Sequence, residues 1–252
     1  GENGAGKSTL IKAVAGAIDI DSGIIRINGQ EYYKITPSLS RSLGIEVIYQ
    51  EFNLVPTLSC SENIMMGEKV GSNIFFNSKL VDAKAAEVLE QFAVGIDPKK
   101  LVQELSIAEQ QIIEIAKAVS KNIKILIMDE PSAPLSVSEV EVMFGIIKRL
   151  KQLGVTIIYI SHRLEEVFRI SDRVSVLRDG CYVTTKNTKD TNRQELIKLM
   201  VGRELKESYP SRKNAPGEIA MEVKNLTGNG DKDISFIVRK GEILGISGLV
   251  GA

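Results

Sequence analysis

The first residues of the sequence carry glycines, a lysine and a hydroxyl at the spacing of a phosphate-binding loop. Gly6 follows Gly1 after four residues, and Lys7 and Ser8 come next. Glycines let backbone N–H groups curl around the β- and γ-phosphates; Lys7 adds a positive charge there, and the Ser8 hydroxyl ligates Mg²⁺. A helix from Ser8 to Ala17 would turn its positive end toward the phosphates. The predicted nucleotide-binding residues are Gly1, Asn3, Gly4, Gly6, Lys7, Ser8 and Thr9.

Two acidic residues follow a nearly all-apolar segment further along the chain. Asp129 and Glu130 come directly after Ile123–Met128, which is typical of a strand covered on both faces. Asp129 would hold the metal through water, and Glu130 would polarise the water that attacks the phosphate. Two acids at a strand end can also be a solvated cap. Downstream of a phosphate loop, the magnesium interpretation is the stronger one.

Two further polar residues, His162 and Gln50, follow predicted strands and complete the set of candidate site residues. His162 is the single histidine of the chain and comes after the β-branched segment Val155–Ile160. Open α/β sheets bind ligands at this end of their strands, so we expect His162 to be a neutral donor to the γ-phosphate. Gln50 follows Ile45–Tyr49 and can contact both metal and water. A lone histidine is usually structural, and Gln50 taken alone is an ordinary polar residue.

These assignments predict three catalytic residues, Glu130, His162 and Gln50, and three metal ligands, Ser8, Gln50 and Asp129. The elements that must position them alternate along the chain, which favours a layered α/β core. Beside the three predicted strands, hairpins are expected at 24–33 and 174–185. Further helices are expected at 81–92, from the Ser106 capping box, from Ser136 to Gly154 and at 191–201.

The two ends of the sequence resemble each other. Gly248-x-x-Gly251-Ala252 matches Gly1-x-x-Gly4-Ala5, and Ile243–Ser247 is predicted to be a short buried strand ahead of it. A phosphate loop needs such a strand before it, so we expect residues 1–207 to be a domain without its N-terminal strands. A linker is expected at 208–217, and residues 218–252 would be the opening strands of a second copy. A chance match of glycine-rich segments is the alternative.

The order of these motifs resembles that of an ATP-binding cassette domain, as in the ATPase subunit of an ABC importer. The segments that carry the resemblance are Gly1–Thr9, Gln50, Leu105–Gln111, Asp129–Pro131, Ser132–Ser136 and His162. A narrower resemblance is to the tandem-cassette subunits that energise uptake of ribose, galactose or xylose. It rests on Leu105–Ala118, Tyr159–Glu166, Met200–Arg203 and Lys240–Ala252.

The resemblance implies a fold, a mechanism and partners. The fold is a P-loop NTPase cassette core with antiparallel β elements and a helical subdomain at about 53–120. ATP and Mg²⁺ would lie between two cassettes, the second in the same full-length chain, and closure would move a membrane permease served by an external sugar-binding protein. The signature segment, which caps the partner cassette's nucleotide, would be Leu105, Ser106, Ile107, Ala108 and Glu109. Since Ile107 and Ala108 replace the usual glycines and Glu109 adds negative charge, we expect the site it serves to be weak.

Composition narrows the alternatives. The 252 residues contain 32 basic and 32 acidic side chains, so we expect no nucleic-acid partner, which would favour an excess of Lys and Arg. No apolar run is long enough to span a bilayer, and Cys60 and Cys181 suit a reducing compartment. Together with these observations, the resemblance to an importer ATPase implies a peripheral protein on the cytoplasmic face of the membrane. The alternatives are a soluble cassette ATPase of DNA repair or translation, a phosphotransferase and a non-catalytic regulatory cassette.

Overall fold

The computed structural model describes residues 4–68, 77–121, 123–202, 217–228 and 230–247. Contacts divide the chain into two units, 1–205 and 206–252, which are described separately. The helices are α1 (Lys7–Val14), α2 (Pro37–Ser42), α3 (Cys60–Ile64), α4 (Ser78–Glu90), α5 (Ile107–Val119), α6 (Val137–Gln152), α7 (Leu164–Ile170) and α8 (Arg193–Val201). The strands are β1 (Ile25–Ile27), β2 (Gln30–Tyr32), β3 (Ile45–Ile48), β4 (Ile125–Asp129), β5 (Thr156–Ile160), β6 (Arg173–Arg178), β7 (Cys181–Asn187), β8 (Ile219–Gly228) and β9 (Asp231–Arg239).

A three-stranded parallel sheet in the order β3-β4-β5 positions the predicted site. In its register Ile48 lies opposite Met128, and Asp129 lies opposite Ile160. Leu126, Ile127 and Met128 of β4 are buried because side chains cover both faces of the sheet. Since parallel strands end at the same edge, the residues that follow β3, β4 and β5 meet there.

Capping boxes begin three of the helices around this sheet. In each, a serine accepts the N–H of a glutamate three residues on, and the glutamate accepts the N–H of the serine. The pairs are Ser59–Glu62, Ser106–Glu109 and Ser136–Glu139. The sequence therefore predicts the starts of α5 and α6 correctly. Within the predicted helical subdomain, α3, α4 and α5 pack on one another and share a core with β4 and α6.

Both predicted hairpins are confirmed. β1 and β2 pair across Asn28-Gly29, both of which have positive φ, as a tight hairpin turn requires. β6 and β7 pair across Asp179-Gly180 in the same way. The helix α1 ends at Val14 rather than at Ala17, because Gly16 has φ +74° and lies where a Cβ would come within 2.4 Å of the Thr36 carbonyl carbon.

The second unit contains one antiparallel hairpin, β8 with β9. The predicted strand at Ile243–Ser247 is wrong for this structure, since these residues have no regular structure and Ile243 and Ile246 are 85% and 81% exposed. A buried strand needs a hydrogen-bonded neighbour. In the described part of the second unit, β8 and β9 pair only with each other, so residues 243–247 have no strand neighbour there. The linker predicted at 208–217 lies, except for Gly217, outside the described residues. In the described part of the chain, no helix combines the length and hydropathy that a membrane span requires.

Candidate functional site

The start of α1 and the end of β4 meet through a direct hydrogen bond. Ser8 Oγ donates to Asp129 Oδ2 at 3.3 Å, although the two residues are 121 positions apart. The pKa of the Asp129 carboxyl is raised, chiefly because the carboxyl is buried, although the Ser8 hydrogen bond lowers it. In smaller amounts, the charge of Glu130 raises this pKa and the charge of Lys7 lowers it. A cation at this point would relieve the cost of burying the ionised carboxylate.

The donor set at this point fits Mg²⁺. A serine hydroxyl and a single carboxylate are oxygen ligands, and Mg²⁺ usually adds waters and substrate phosphates to one or two protein ligands. No group of three or more His, Cys, Asp and Glu side chains in the described residues could hold a metal by itself. The site is therefore suited to a metal that arrives with a phosphate ligand.

Glu130 and His162 form the second contact of the site. His162 Nδ1 lies 3.2 Å from Glu130 Oε1. The Glu130 backbone N–H donates to the Ile160 carbonyl at 2.9 Å, which joins the ends of β4 and β5. Glu130 has φ +49°, a conformation that costs a non-glycine residue free energy and that clusters at functional sites. We call Ser8, Asp129, Glu130 and His162 together the catalytic edge, after the catalytic and metal-binding roles that the sequence predicts for them.

The phosphate loop adjoins this edge. Gly4 and Gly6 have φ +83° and +92°, so both need the freedom of glycine. A Cβ on Gly6 would lie 3.2 Å from the Gly180 Cα, so the hairpin turn of β6 and β7 packs closely on the loop. Thr9 is exposed on the first turn of α1, and Lys7 is half-buried there. The predicted Gly1 and Asn3 lie outside the described residues.

Gln50 lies at the same sheet edge but is not joined to the other residues. It lies two residues beyond Ile48, the last residue of β3, and is exposed. Among the described residues, its side chain makes no hydrogen bond to Ser8 or Asp129. The structure thus brings together Ser8, Asp129, Glu130 and His162 and leaves Gln50 beside them.

The signature segment, Leu105–Glu109, forms the start of α5. Leu105 is buried, whereas Ile107 is 51% exposed. Glu109 Oε2 accepts the Ser106 N–H at 2.7 Å, and the Ser106 Oγ accepts the Glu109 N–H at 3.3 Å. The hydrogen bond from the Ser106 N–H to the carboxylate is the main cause that lowers the pKa of Glu109. Within the described residues, no hydrogen bond or ion pair joins the segment to the catalytic edge.

Two side-chain networks near the site were not predicted. The backbone of Asn53, just beyond Gln50, is held on both sides by α5: its N–H donates to Glu114 Oε1 at 2.5 Å, and its carbonyl accepts from Lys117 Nζ at 2.5 Å. The second network centres on the buried carboxylate of Glu166. No local sequence signal identifies either, because each depends on which helix face packs inward.

A cavity of about 790 Å³ lies between β5 and β6 in the first unit. All of β5 and the segment Arg173–Leu177 line it, and Lys7 lies at its border. Among the described residues, β5 pairs only with β4, and β6 pairs only with β7. The facing edges of the two strands are therefore available for hydrogen bonding.

Comparison with known proteins agrees with this geometry. The family model described as ABC transporter matches residues 1–133. The chain is 46% identical to the ribose import ATP-binding protein RbsA of Geobacillus kaustophilus and 48% identical to that of Bacillus licheniformis, with all of this chain and 52% of each relative aligned. The chain spans about half the length of these curated relatives.

Solved structures show the same fold. A nucleotide-free ATP-binding cassette from an ABC transporter aligns at a TM-score of 0.66 with 26% identity, over 79% of this chain and 81% of that one. The ADP conformation of the cassette MJ1267 aligns at a TM-score of 0.68 with 24% identity, over 80% and 85%. The predicted α/β P-loop cassette fold is therefore confirmed.

Proposed function

This chain belongs to the ABC transporter family, and from that premise we propose that it is part of an ATP-hydrolysing subunit that drives uptake of a simple sugar. The observation that carries the proposal is the convergence of Ser8 with Asp129 and of Glu130 with His162 at one sheet edge. The similarity to ribose import proteins supports a sugar as the transported solute. The proposed cofactors are ATP, which is also the substrate, and Mg²⁺.

The nucleotide is held by the phosphate loop and α1. Backbone N–H groups at the start of α1 and the Lys7 ammonium face the phosphates, and the helix dipole favours the same charge. Ser8 and Asp129 would hold Mg²⁺, the second through water, and we retain Gln50 as a proposed contact to metal and water. When bound, the metal neutralises charge on the β- and γ-phosphates.

Glu130 and His162 act on the attacking water and the γ-phosphate. Glu130 accepts a hydrogen bond or a proton from the water. His162 Nδ1 lies 3.2 Å from Glu130 Oε1, so a neutral ring that carries its proton on Nδ1 would donate to Glu130 and would have a bare Nε2 that can only accept. The neutral donor to the γ-phosphate that we expected would need the other tautomer.

We propose that the cavity between β5 and β6 receives a strand that leads into the phosphate loop. Two free strand edges and an apolar lining support this, because an inserted parallel strand would satisfy both edges. We further propose that residues 1–207 belong to a first cassette and that residues 218–252, after a linker at 208–217, open a second one.

The proposed partners are membrane permease subunits, through them an external sugar-binding protein, and a second cassette of the full-length chain. The helical subdomain at about 53–120 would contact the permease from the cytoplasmic face of the membrane. The loop held by Glu114 and Lys117 joins this subdomain to Gln50 and supports such a coupling. The proposal includes no nucleic-acid partner.

The test uses the full-length subunit reconstituted with its permease in lipid vesicles. We expect free phosphate to be released from ATP, at a higher rate when the sugar-loaded binding protein is added. Transfer of the γ-phosphate to a small acceptor would favour a phosphotransferase. Purification with ribosomes or DNA, without a permease, would favour the soluble alternative.

A further inference from the structure

Glu166 is a buried carboxylate that three hydroxyl groups approach. Its residue is 6% exposed, and Oε2 accepts hydrogen bonds from Ser132 Oγ at 2.7 Å, Tyr159 Oη at 2.8 Å and Ser161 Oγ at 2.8 Å. Arg163 Nη1 lies 3.4 Å from the other oxygen. A buried charge is costly unless it is paired and hydrogen-bonded, and these four donors meet that requirement.

Two of the hydroxyl donors, Ser132 and Ser161, come from the loops that carry Glu130 and His162, and the third, Tyr159, lies in β5. Ser132 is two residues beyond Glu130, and Ser161 directly precedes His162. Ser161 Oγ also accepts the Arg163 N–H at 2.9 Å, which closes the turn around His162. One carboxylate therefore fixes the backbone on both sides of the 3.2 Å contact between Glu130 and His162.

The strand pairing alone does not fix this contact. The hydrogen bond from the Glu130 N–H to the Ile160 carbonyl is the last one that joins the two strand ends, and His162 lies two residues beyond it. The exposed imidazole then depends on the conformation of Ser161–Arg163. Ser161 Oγ holds this turn on the side of β5, since it donates to Glu166 and accepts the Arg163 N–H. On the side of α7, the Arg163 carbonyl accepts the Glu166 N–H.

We propose that Glu166 is a positioning residue that holds His162 against Glu130 through Ser161 and Ser132. This proposal rests on the proposed function, because it assigns a role in ATP hydrolysis at the same site. Glu166 does not touch the nucleotide in this scheme. Its contribution is to the geometry of the hydrolysis step, so it affects kcat rather than ATP binding.

The test compares Glu166→Gln with Glu165→Gln in the full-length subunit reconstituted with its permease. Glu165 is the neighbouring acid, exposed and paired with Arg193 at 3.2 Å on the surface, so it controls for the loss of a charge in α7. For Glu166→Gln we expect kcat for ATP to fall about tenfold or more, with KM changed less than about twofold. Glu165→Gln should leave both constants unchanged.

A double-mutant cycle separates positioning from a general structural role. If Glu166 acts through the histidine, adding Glu166→Gln to His162→Ala should cause no further loss of kcat. Independent losses that multiply, or a kcat of Glu166→Gln equal to that of the wild type, would overturn the proposal. If Glu166→Gln does not fold, Ser161→Ala takes its place in the cycle, since Ser132 and Tyr159 still satisfy the carboxylate.

The same assay distinguishes this proposal from the proposed function. If the wild-type complex hydrolyses ATP and Lys7→Ala does not, the proposed function stands. In that case a Glu166→Gln variant with the kcat of the wild type rejects only the positioning role. If the wild-type complex releases no phosphate from ATP, or if Lys7→Ala releases it as fast, the proposed function fails first, and the positioning role fails with it.

Discussion

The catalytic edge and the signature segment are both predicted phosphate sites, and the structure builds them in opposite ways. At the catalytic edge, side chains from α1 and from the ends of β4 and β5 converge, and burial of Asp129 leaves a charge that favours a cation. At the signature segment, Ser106 and Glu109 satisfy each other. One site has capacity for an additional ligand, whereas the other has a carboxylate where the anion would bind.

The difference lies in how each helix N-terminus is capped. The N-cap of α1 is Gly6, which has no side chain to cap the helix, so no side chain blocks the approach of a phosphate to the helix start. The first turn of α5 includes an ionised glutamate whose pKa the cap lowers. A negative charge there weakens anion binding, which supports the proposal that the nucleotide capped by the signature segment is bound less well.

Glu130→Gln should have the largest effect, because it removes the proposed proton acceptor and leaves the binding groups intact. We expect ATP hydrolysis by the full-length subunit to fall about 10²-fold or more, with ATP binding retained. Phosphate release measures the first quantity, and binding of a labelled ATP analogue measures the second. Undiminished turnover would remove Glu130 from its proposed role and weaken the contrast between the two regions.

Lys7→Ala should have the second largest effect and should act on binding. Loss of a charged hydrogen-bond donor to phosphate should weaken ATP affinity about tenfold to a hundredfold. Lys12→Ala is a matched control, since Lys12 is exposed near the end of the same helix, and we expect it to change affinity less than about twofold. If the two substitutions weaken ATP affinity equally, the overall positive charge of α1 attracts the nucleotide, and Lys7 makes no specific contact with the phosphates.

Much of the catalytic edge could be predicted from the sequence, because its groups follow strands with a clear pattern. β3, β4 and β5 are short and largely apolar, and the polar residues of the predicted site lie at the ends of these strands or within two residues of them. Parallel strands end at one edge, so convergence of Asp129, Glu130 and His162 follows from topology. The short helices α2, α3 and α7 were not predicted, because five to seven residues contain too few apolar positions to show a helical period.

The buried polar networks could not be predicted for a different reason. Glu165 and Glu166 are adjacent acids in the same helix, yet the first is exposed and the second is buried. Which of them turns inward depends on how α7 packs against β5 and the loop after β4. The segment Ile243–Ser247 has the composition of a buried strand, but a strand also needs a hydrogen-bonded neighbour. Among the described residues of the second unit, β8 and β9 pair only with each other.

Glu109→Gln should have a smaller effect, at the signature segment. Glutamine keeps the capping box and removes the negative charge, so the helix start should bind an anion more strongly. We expect the ATP concentration for half-maximal association of the two cassettes to fall about two- to fivefold. Glu139→Gln is the control, because Glu139 closes the same kind of capping box on α6. An unchanged ATP requirement would mean that Ile107 and Ala108, rather than the charge, limit this site.

The smallest effect concerns stability against pH and compares two acids of α5. The pKa of Glu109 is lowered by its cap, so its contribution is present above the ordinary value of 4.5 and is lost as pH falls through the folded-state value. The pKa of Glu114 is raised by burial, so the folded state binds its proton more tightly, and stability falls as pH rises from 4.5 through the raised value.

The substitutions Glu109→Gln and Glu114→Gln should therefore change the pH dependence of Tm in opposite directions. Glu109→Gln should reduce the loss of Tm on acidification below about pH 4.5, whereas Glu114→Gln should reduce the loss on raising pH above that value. Each change should stay within about 4 °C, measured by thermal unfolding of the full-length subunit between about pH 2.5 and 7. If both substitutions change the Tm profile in the same direction, the cap of Glu109 and the burial of Glu114 do not control their charges as the structure indicates.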